Sequence, residues 1–302
     1  MTSPDAVVVG PVLGRRGAAE RTTAATSWHG TTVTDGVIET IRRTRTAAEC
    51  LGRRVYHRIA AVNYERRLIS RRNRTPAGSV RCLEPINRHG TDEMLAELDD
   101  VCGPDAVVFD VGAHVGIYAL ALASGTPDRR VVAFEPSPPV VARLRANVRL
   151  NSLEDRIDVY PIGIGNEDGD RPFYRSSNPE LSAFDRASAT RWGGSVIDVR
   201  RVPTRTLDTL VLGSGTAPEE HVDLETPDCP VPDAIKIDVE GTAPAVLRGA
   251  RGVLERFRPV LFVETHDAAI DGDVPGETKG VLEANGYAAV ERSGYWRCEP
   301  RR

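Results

Sequence analysis

The sequence predicts an α/β fold, a largely parallel β-sheet covered by helices on both faces. Three observations carry that expectation. Between residues 106 and 293, short and nearly continuous apolar runs alternate with amphipathic stretches of helical period. This is the pattern of strands buried on both faces and joined by crossover helices. Two runs end in a carboxylate beside glycine or proline, "VVFDVGAHVG" at 107–116 and "VVAFEP" at 131–136. A third, "AIKIDVEG" at 234–241, carries three alternating charges. Ligand sites in such sheets lie at the C-terminal ends of strands.

Composition narrows the function. The 302 residues are 40% hydrophobic with a net charge of −4, enough for one sizeable core or two small ones. The cysteines stand apart at 50, 82, 102, 229 and 298 with no C-x-x-C pair, which argues against a disulfide framework or a zinc site and suits a reducing cytosol. The first residues lack an apolar run of signal length, and no stretch reaches membrane-spanning length without a charge, so a cytoplasmic protein is expected.

Each element has its own justification. Residues 1–35 show no period and read as disordered. In 36–72, Ile41, Ala48, Leu51, Val55, Ile59, Val62 and Ile69 recur at helical spacing, predicting one or two amphipathic helices. The stretch from Glu39 to Arg74 holds 11 Arg and 3 Glu, a net of +8 that leaves −12 for the remainder. Residues 1–75 are thus expected as an Arg-rich extension and 76–302 as the main domain. "RNRTPAGS" at 72–79 reads as a linker, "VRCLEPIN" as a short strand, and "TDEMLAELDDVCG" as a helix capped by Thr91 and ending at Gly103. Strands then follow at "AVVFDV", "RVVAFEP", "IDVYPIGIG", "DAIKIDV", "PVLFVET" and "YAAVERS". Helices fall at "GIYALALAS", "PPVVARLRANVRLN", "PAVLRGARGVLERF" and "TKGVLEANG". "RPFYRSS" and "SVIDVRRVPT" form an inserted hairpin arm, whose Tyr174 and Trp192 could contact a substrate but are expected rather to serve packing.

The strand ends carry the chemistry. The D-x-G-x-x-x-G of Asp110, Gly112 and Gly116 differs from the G-x-G-x-x-G of dinucleotide enzymes. It reads either as a glycine turn with a capping aspartate or as a loop whose backbone approaches a ligand. A carboxylate there suits a cation or zwitterion, such as the methionine end of S-adenosylmethionine, better than a pyrophosphate. Glu135, 25 residues later, suits a ribose diol or is a solvated acid before a turn. Ile162 and Gly163 are placed to flank a flat base, with Asn166 or Asp168 reaching its amino group, or form an ordinary polar turn. Lys236, Asp238 and Glu240 share one strand face, and three such charges are costly if buried unpaired. Glu264 and His266 share a face of the neighbouring strand end, as ligand contacts or as an exposed rim.

In order, "VVFDVGAHVGIYAL", "VVAFEPSP", "YPIGIGNEDG" and "DAIKIDVEGTAPAVLRGARGVLERFRPVLFVETHD" resemble the FkbM-type S-adenosylmethionine-dependent methyltransferases. The last block is the most specific, and the resemblance spans about residues 80–290. It implies a Rossmann-like class I methyltransferase sheet of seven strands, mostly parallel with the last antiparallel. It also implies methylation of hydroxyls on sugars and secondary metabolites. The chain departs from the family pattern at Ala243, where an acid is usual, followed here by Pro244, and at His114, where Asn is common.

The expected cofactor is S-adenosyl-L-methionine, held by Asp110, Gly112, His114, Gly116, Glu135, Pro136, Ile162, Gly163, Asn166 and Asp238. Methyl transfer to a hydroxyl needs a base, for which His266 or Asp238 is expected, with Glu240 orienting the acceptor. A carboxylate acceptor needs none. The acceptor class is a sugar, glycolipid or secondary metabolite. A non-catalytic S-adenosylmethionine-binding protein and an N-methyltransferase are the alternatives. Nucleic acid is disfavoured by the acidic main domain and by "DVEG" where base methyltransferases carry N/D-P-P-Y/F. For 36–74, three roles are open: a lid or dimer element, peripheral docking to an anionic membrane, and nucleic-acid contact.

Overall fold

A computed structural model describes residues 52, 55–213, 229–264 and 273–301. Helix α1 covers residues 55–66. A hairpin of β1 (Arg71–Thr75) and β2 (Gly78–Cys82) follows, then α2 (Glu93–Val101). The alternation begins with β3 (Val107–Val111), α3 (Ile117–Gly125), β4 (Arg130–Phe134), α4 (Pro138–Leu150) and β5 (Ile157–Tyr160). Next come β6 (Gly163–Ile164), β7 (Gly169–Ser176), α5 (Arg186–Ala189), β8 (Val196–Arg205) and α6 (Leu207–Leu212). The chain continues through β9 (Ala234–Ile237), α7 (Ala243–Arg248), α8 (Arg251–Phe257), β10 (Val260–Glu264), α9 (Val274–Ala284), β11 (Tyr287–Glu291) and β12 (Tyr295–Pro300).

Seven strands form one sheet in the order β11-β12-β10-β9-β3-β4-β5. The five from β10 to β5 are parallel, while β12 runs antiparallel to both β10 and β11. Alternation along the strands builds two cores. Val108, Val131 and Ala133 face Leu95, Leu98, Leu120 and Leu144 on one side. Phe109, Val132 and Phe134 face Val246, Val253, Leu254 and Leu282 on the other. Strand order reverses beside β3, the oldest strand of the set in sequence, so a crevice opens at the C-terminal ends of β3 and its neighbours.

Several expectations change here. The 72–79 "linker" is the β1–β2 hairpin, paired from Arg71↔Cys82 to Thr75↔Gly78, and the expected boundary at 75/76 falls in its turn. The cap of α2 is Asp92, not Thr91, because the Asp92 carboxylate accepts from Leu95 N at 3.0 Å. The expected strand at 157–165 divides, with β5 in the main sheet and β6 in a second sheet of order β6-β8-β7. The hairpin arm is present as the antiparallel β7–β8 pair of that sheet. The expected helix at 244–257 breaks into α7 and α8. Asp208 explains the break, since its carboxylate accepts from Gly252 N and Val253 N, both at 2.8 Å, and its own N–H donates to Gly249 O at 2.9 Å. One further strand, β12, lies beyond the "last" strand β11 and inserts between it and β10.

Helix α1 docks by a different face from its apolar stripe. Ala60, Asn63 and Tyr64 are buried. Asn63 donates to Leu83 O at 2.6 Å, and the Tyr64 hydroxyl accepts from Asn147 Nδ2 at 2.8 Å. Val55, Ile59 and Val62 remain exposed. Among the described residues no helix is long and apolar enough to cross a membrane.

Candidate active site

A cavity of about 400 Å³ occupies the crevice, walled by the loops after β3, β4 and β9, by Glu264 at the end of β10 and by segments of the inserted arm. The loop after β3 places Gly112, His114 and Gly116 in the left-handed region, at φ 79°, 50° and 86°. Alternation of that kind needs glycine at the crowded positions. A Cβ on Gly112 would stand 1.9 Å from the Asp238 carbonyl oxygen, and one on Gly116 would stand 2.1 Å from Leu144 Cδ1. The two glycines therefore permit close packing of chain on chain. Gly112 reaches the wall, whereas Gly116 does not.

Asp110 is also off the wall. It is fully buried, and one oxygen accepts from Lys236 Nζ at 2.9 Å. Its other oxygen, Oδ2, is buried without a hydrogen-bond partner. Asp110, expected to contact the amino acid end of a cofactor, is held in an internal ion pair with Lys236. Lys236 is the member that faces the cavity, and it also donates to Gly112 O at 3.1 Å and lies 3.4 Å from Asp238 Oδ2. Burial disfavours its charge, but Asp110 and Asp238 outweigh that and hold its pKa above the ordinary lysine value. The charges of β9, costly if unpaired, are thereby paired.

Glu135 lies on the wall, 7% exposed, with Pro136 beside it. Its Oε2 accepts from His114 N at 3.0 Å and its Oε1 from Ser137 N at 2.9 Å. Burial pushes its carboxyl up to about 7 despite those two N–H groups. An ionised carboxylate offers about four lone-pair sites, so each oxygen keeps capacity for a ligand hydroxyl. His114 also reaches the wall. Its Nε2 is buried without a partner, and burial lowers its pKa, favouring the neutral ring.

Beyond Glu135 the wall becomes apolar. Ile162, Gly163, Ile164, Phe173 and Phe184 line it, with the two phenylalanine rings edge to face at 5.1 Å. Asn166 is not brought there. It is exposed and off the wall, while Asp168 accepts from Thr206 N at 2.7 Å. The turn that follows Gly165 carries Asp168 to the junction of β8 and α6.

The other end of the cavity is polar. Asp238, Glu240, Thr242 and Glu264 approach it from β9 and β10, and Arg88, His89, Glu180 and Trp192 complete it. Glu240 is ion-paired with Arg191 of the arm, whose guanidinium lies 5.0 Å from the centre of the Trp192 ring. Trp192, for which the sequence left packing or substrate contact open with packing favoured, is a half-exposed wall residue. Arg88 pairs with Glu180 at 2.6 Å. Ala243 is buried among the apolar residues of α7 and does not reach the cavity. His266 lies outside the described residues.

Sequence reading missed His89. Its Nδ1 sits 2.8 Å from Asp92 Oδ2, and Asp92 Oδ1 also takes the Tyr118 hydroxyl at 2.7 Å. Burial raises the Asp92 pKa, but the hydrogen bonds from His89, Tyr118 and Leu95 outweigh it and hold the carboxyl below its usual range. A carboxylate on Nδ1 fixes that nitrogen as the donor, and in the neutral ring Nε2 is then the acceptor. The local signal was present, a histidine three residues before a helix-capping aspartate, but nothing in one dimension placed it at the end of β9. Among the described residues no His, Cys, Asp and Glu group is arranged to hold a metal ion.

A family model for the methyltransferase FkbM domain matches residues 110–288. The chain belongs to the FkbM methyltransferase family. Within this FkbM-family methyltransferase, 212 residues are 31% identical to the 31-O-demethyl-FK506 methyltransferase FkbM of Streptomyces tacrolimicus, covering 62% of this chain and 74% of that protein. The hexuronic acid methyltransferase AglP of Haloferax volcanii is 28% identical over 214 residues, 68% of this chain and 75% of that one. A shorter stretch of 82 residues is 42% identical to the AMB antimetabolite synthetase AmbE of Pseudomonas aeruginosa, spanning 27% of this chain and 4% of that protein.

Proposed function

We propose that this FkbM-family enzyme moves a methyl group from S-adenosyl-L-methionine to an oxygen of a sugar, glycolipid or secondary metabolite. The observation that carries the reading is the buried Glu135 carboxylate, held by two backbone N–H groups at the boundary between an apolar slot and an acidic pocket. That wall fits the cofactor: Glu135 for the ribose diol, Ile162, Gly163 and Phe184 for the base, and Asp238 and Glu264 for the cationic end. When bound, S-adenosyl-L-methionine supplies an electrophilic methyl on a sulfonium.

The chain's own residues then align the acceptor, exclude water and take its proton. Asp238 shares Lys236 with Asp110, which holds it in place and suits it to orientation. Glu240, fixed by Arg191, orients the acceptor from the opposite side. His89, held by Asp92, is the base this wall supports best, with His266 as the further candidate from the sequence. The oxygen class agrees with the names of two relatives, an O-demethyl-FK506 methyltransferase and a hexuronic acid methyltransferase.

The test is methyl transfer from labelled S-adenosyl-L-methionine to a panel of sugars, glycolipids and hydroxylated metabolites. His89→Ala and Asp92→Asn should bind S-adenosylhomocysteine normally but transfer methyl roughly 100-fold or more slowly to a hydroxyl. If His266→Ala alone shows the loss, the base is His266. Normal rates of transfer to a hydroxyl in all three variants overturn the histidine assignments, and absence of S-adenosylhomocysteine binding by the unaltered protein overturns the function.

A further inference from the structure

We propose that the outward face of α1, with the segment that leads into β1, docks on an anionic lipid surface. Val55, Ile59 and Val62 fall at i, i+4 and i+7, a single stripe on the helix, and are 48%, 56% and 45% exposed. Leu68 and Ile69, just beyond the helix, are 66% and 65% exposed. The stripe does not hold the helix to the core, since Ala60, Asn63 and Tyr64 on the other side do that. Between residues 55 and 74, Arg58, Arg66, Arg67, Arg71, Arg72 and Arg74 are exposed against a single exposed acid, Glu65.

An apolar stripe set among arginines is the chemistry of a helix lying in a membrane interface. Apolar side chains enter the acyl boundary while guanidinium groups meet lipid phosphates. The charge decides between occupants. A second copy in a two-fold dimer would bring the same arginines against one another. A nucleic acid has no use for the valine and isoleucine stripe. An anionic bilayer satisfies both halves of the surface.

The other side of the same helix packs behind the cavity wall, against Arg88. Tyr56 donates to Glu84, its ring lies 5.0 Å beneath the guanidinium of the wall residue Arg88, and His57 Nε2 is 3.1 Å from Asn178 Oδ1 in the arm. Docking through the stripe therefore sets the Arg88 side of the cavity close to the lipid, which suits an acceptor carried in a membrane.

The full-length protein is sedimented with phosphatidylcholine vesicles containing one-quarter phosphatidylglycerol and with pure phosphatidylcholine vesicles. Binding is expected to the anionic vesicles and to weaken with salt. At about fivefold per arginine, an R66S/R67S double variant should partition roughly 25-fold more weakly. I59Q/V62Q should also lose binding while unfolding at an unchanged temperature, because both side chains are exposed. The proposal is overturned if the full chain ignores anionic vesicles at low salt, or if I59Q/V62Q binds them as well as the unaltered protein. A concentration-dependent dimer that I59Q/V62Q dissolves, in protein that does not bind vesicles, would overturn it in favour of a second copy.

Discussion

Glu135 has almost no contact with water, and burial pushes its carboxyl up to about 7 from an ordinary 4.5, against the pull of the Ser137 and His114 amides. The folded state thus binds this proton more tightly than the unfolded chain does. Stability from this group is full below about pH 4.5 and is lost as the pH rises through about 7. The span corresponds to roughly 3 kcal/mol. Glu135→Gln should therefore stabilise the protein at pH 8 relative to its effect at pH 5, read as the difference in thermal unfolding temperature. Equal shifts at both values would contradict the burial argument. A ligand diol favours the ionised form, so S-adenosylhomocysteine should bind more tightly at pH 8 than at pH 6, and that dependence should vanish in the Gln variant.

At the scale of elements, the site depends on where helices stop. Asp208, in the first turn of α6, takes two N–H groups from the start of α8 and ends the continuous helix that apolar spacing favours. Asp208→Ala should cost about 1–2 kcal/mol, the usual worth of a strong cap, seen as a fall of a few degrees in unfolding temperature. An unchanged transition would show that the α7–α8 break is held by packing alone. The same logic explains Thr91 and Asp92. Both are good caps by type, and only the aspartate has a second oxygen to give to His89. Its first oxygen already serves Leu95 N and Tyr118.

At the scale of the whole molecule, the cavity is a joint product of the sheet and the arm. The sheet supplies Glu135, Lys236, Asp238 and Glu264, and the arm supplies Glu180, Phe184 and Trp192. Arg191 of the arm meets Glu240 of the sheet's rim, so this pair ties roof to floor. Breaking it should loosen the roof: Arg191→Met is expected to raise protease cleavage within 178–195, detected by mass spectrometry, while the transition of the main sheet persists. An unaltered cleavage pattern would place the arm's anchorage elsewhere.

The sequence by itself determined the parallel α/β sheet, the family, and the strand ends at which chemistry collects. Hydrophobic period and glycine spacing are local properties, and "VVFDVGAHVG", "VVAFEP" and "AIKIDVEG" display them in one dimension. Only the tertiary structure decided which charges face the cavity and which face each other. Asp110 and Lys236 lie directly opposite on adjacent strands, and burial in a low-dielectric core compels such charges to pair, so the aspartate that looked like a ligand contact became the lysine's anchor. Asn166 turned away because the chain leaves the main sheet after β5. His89 and Arg191 joined the site through contacts between distant segments, which no local pattern encodes. The exposed stripe of α1 followed the same rule: its spacing was legible, but whether it faced inward or outward depended on Asn63 and Tyr64 having partners in the core.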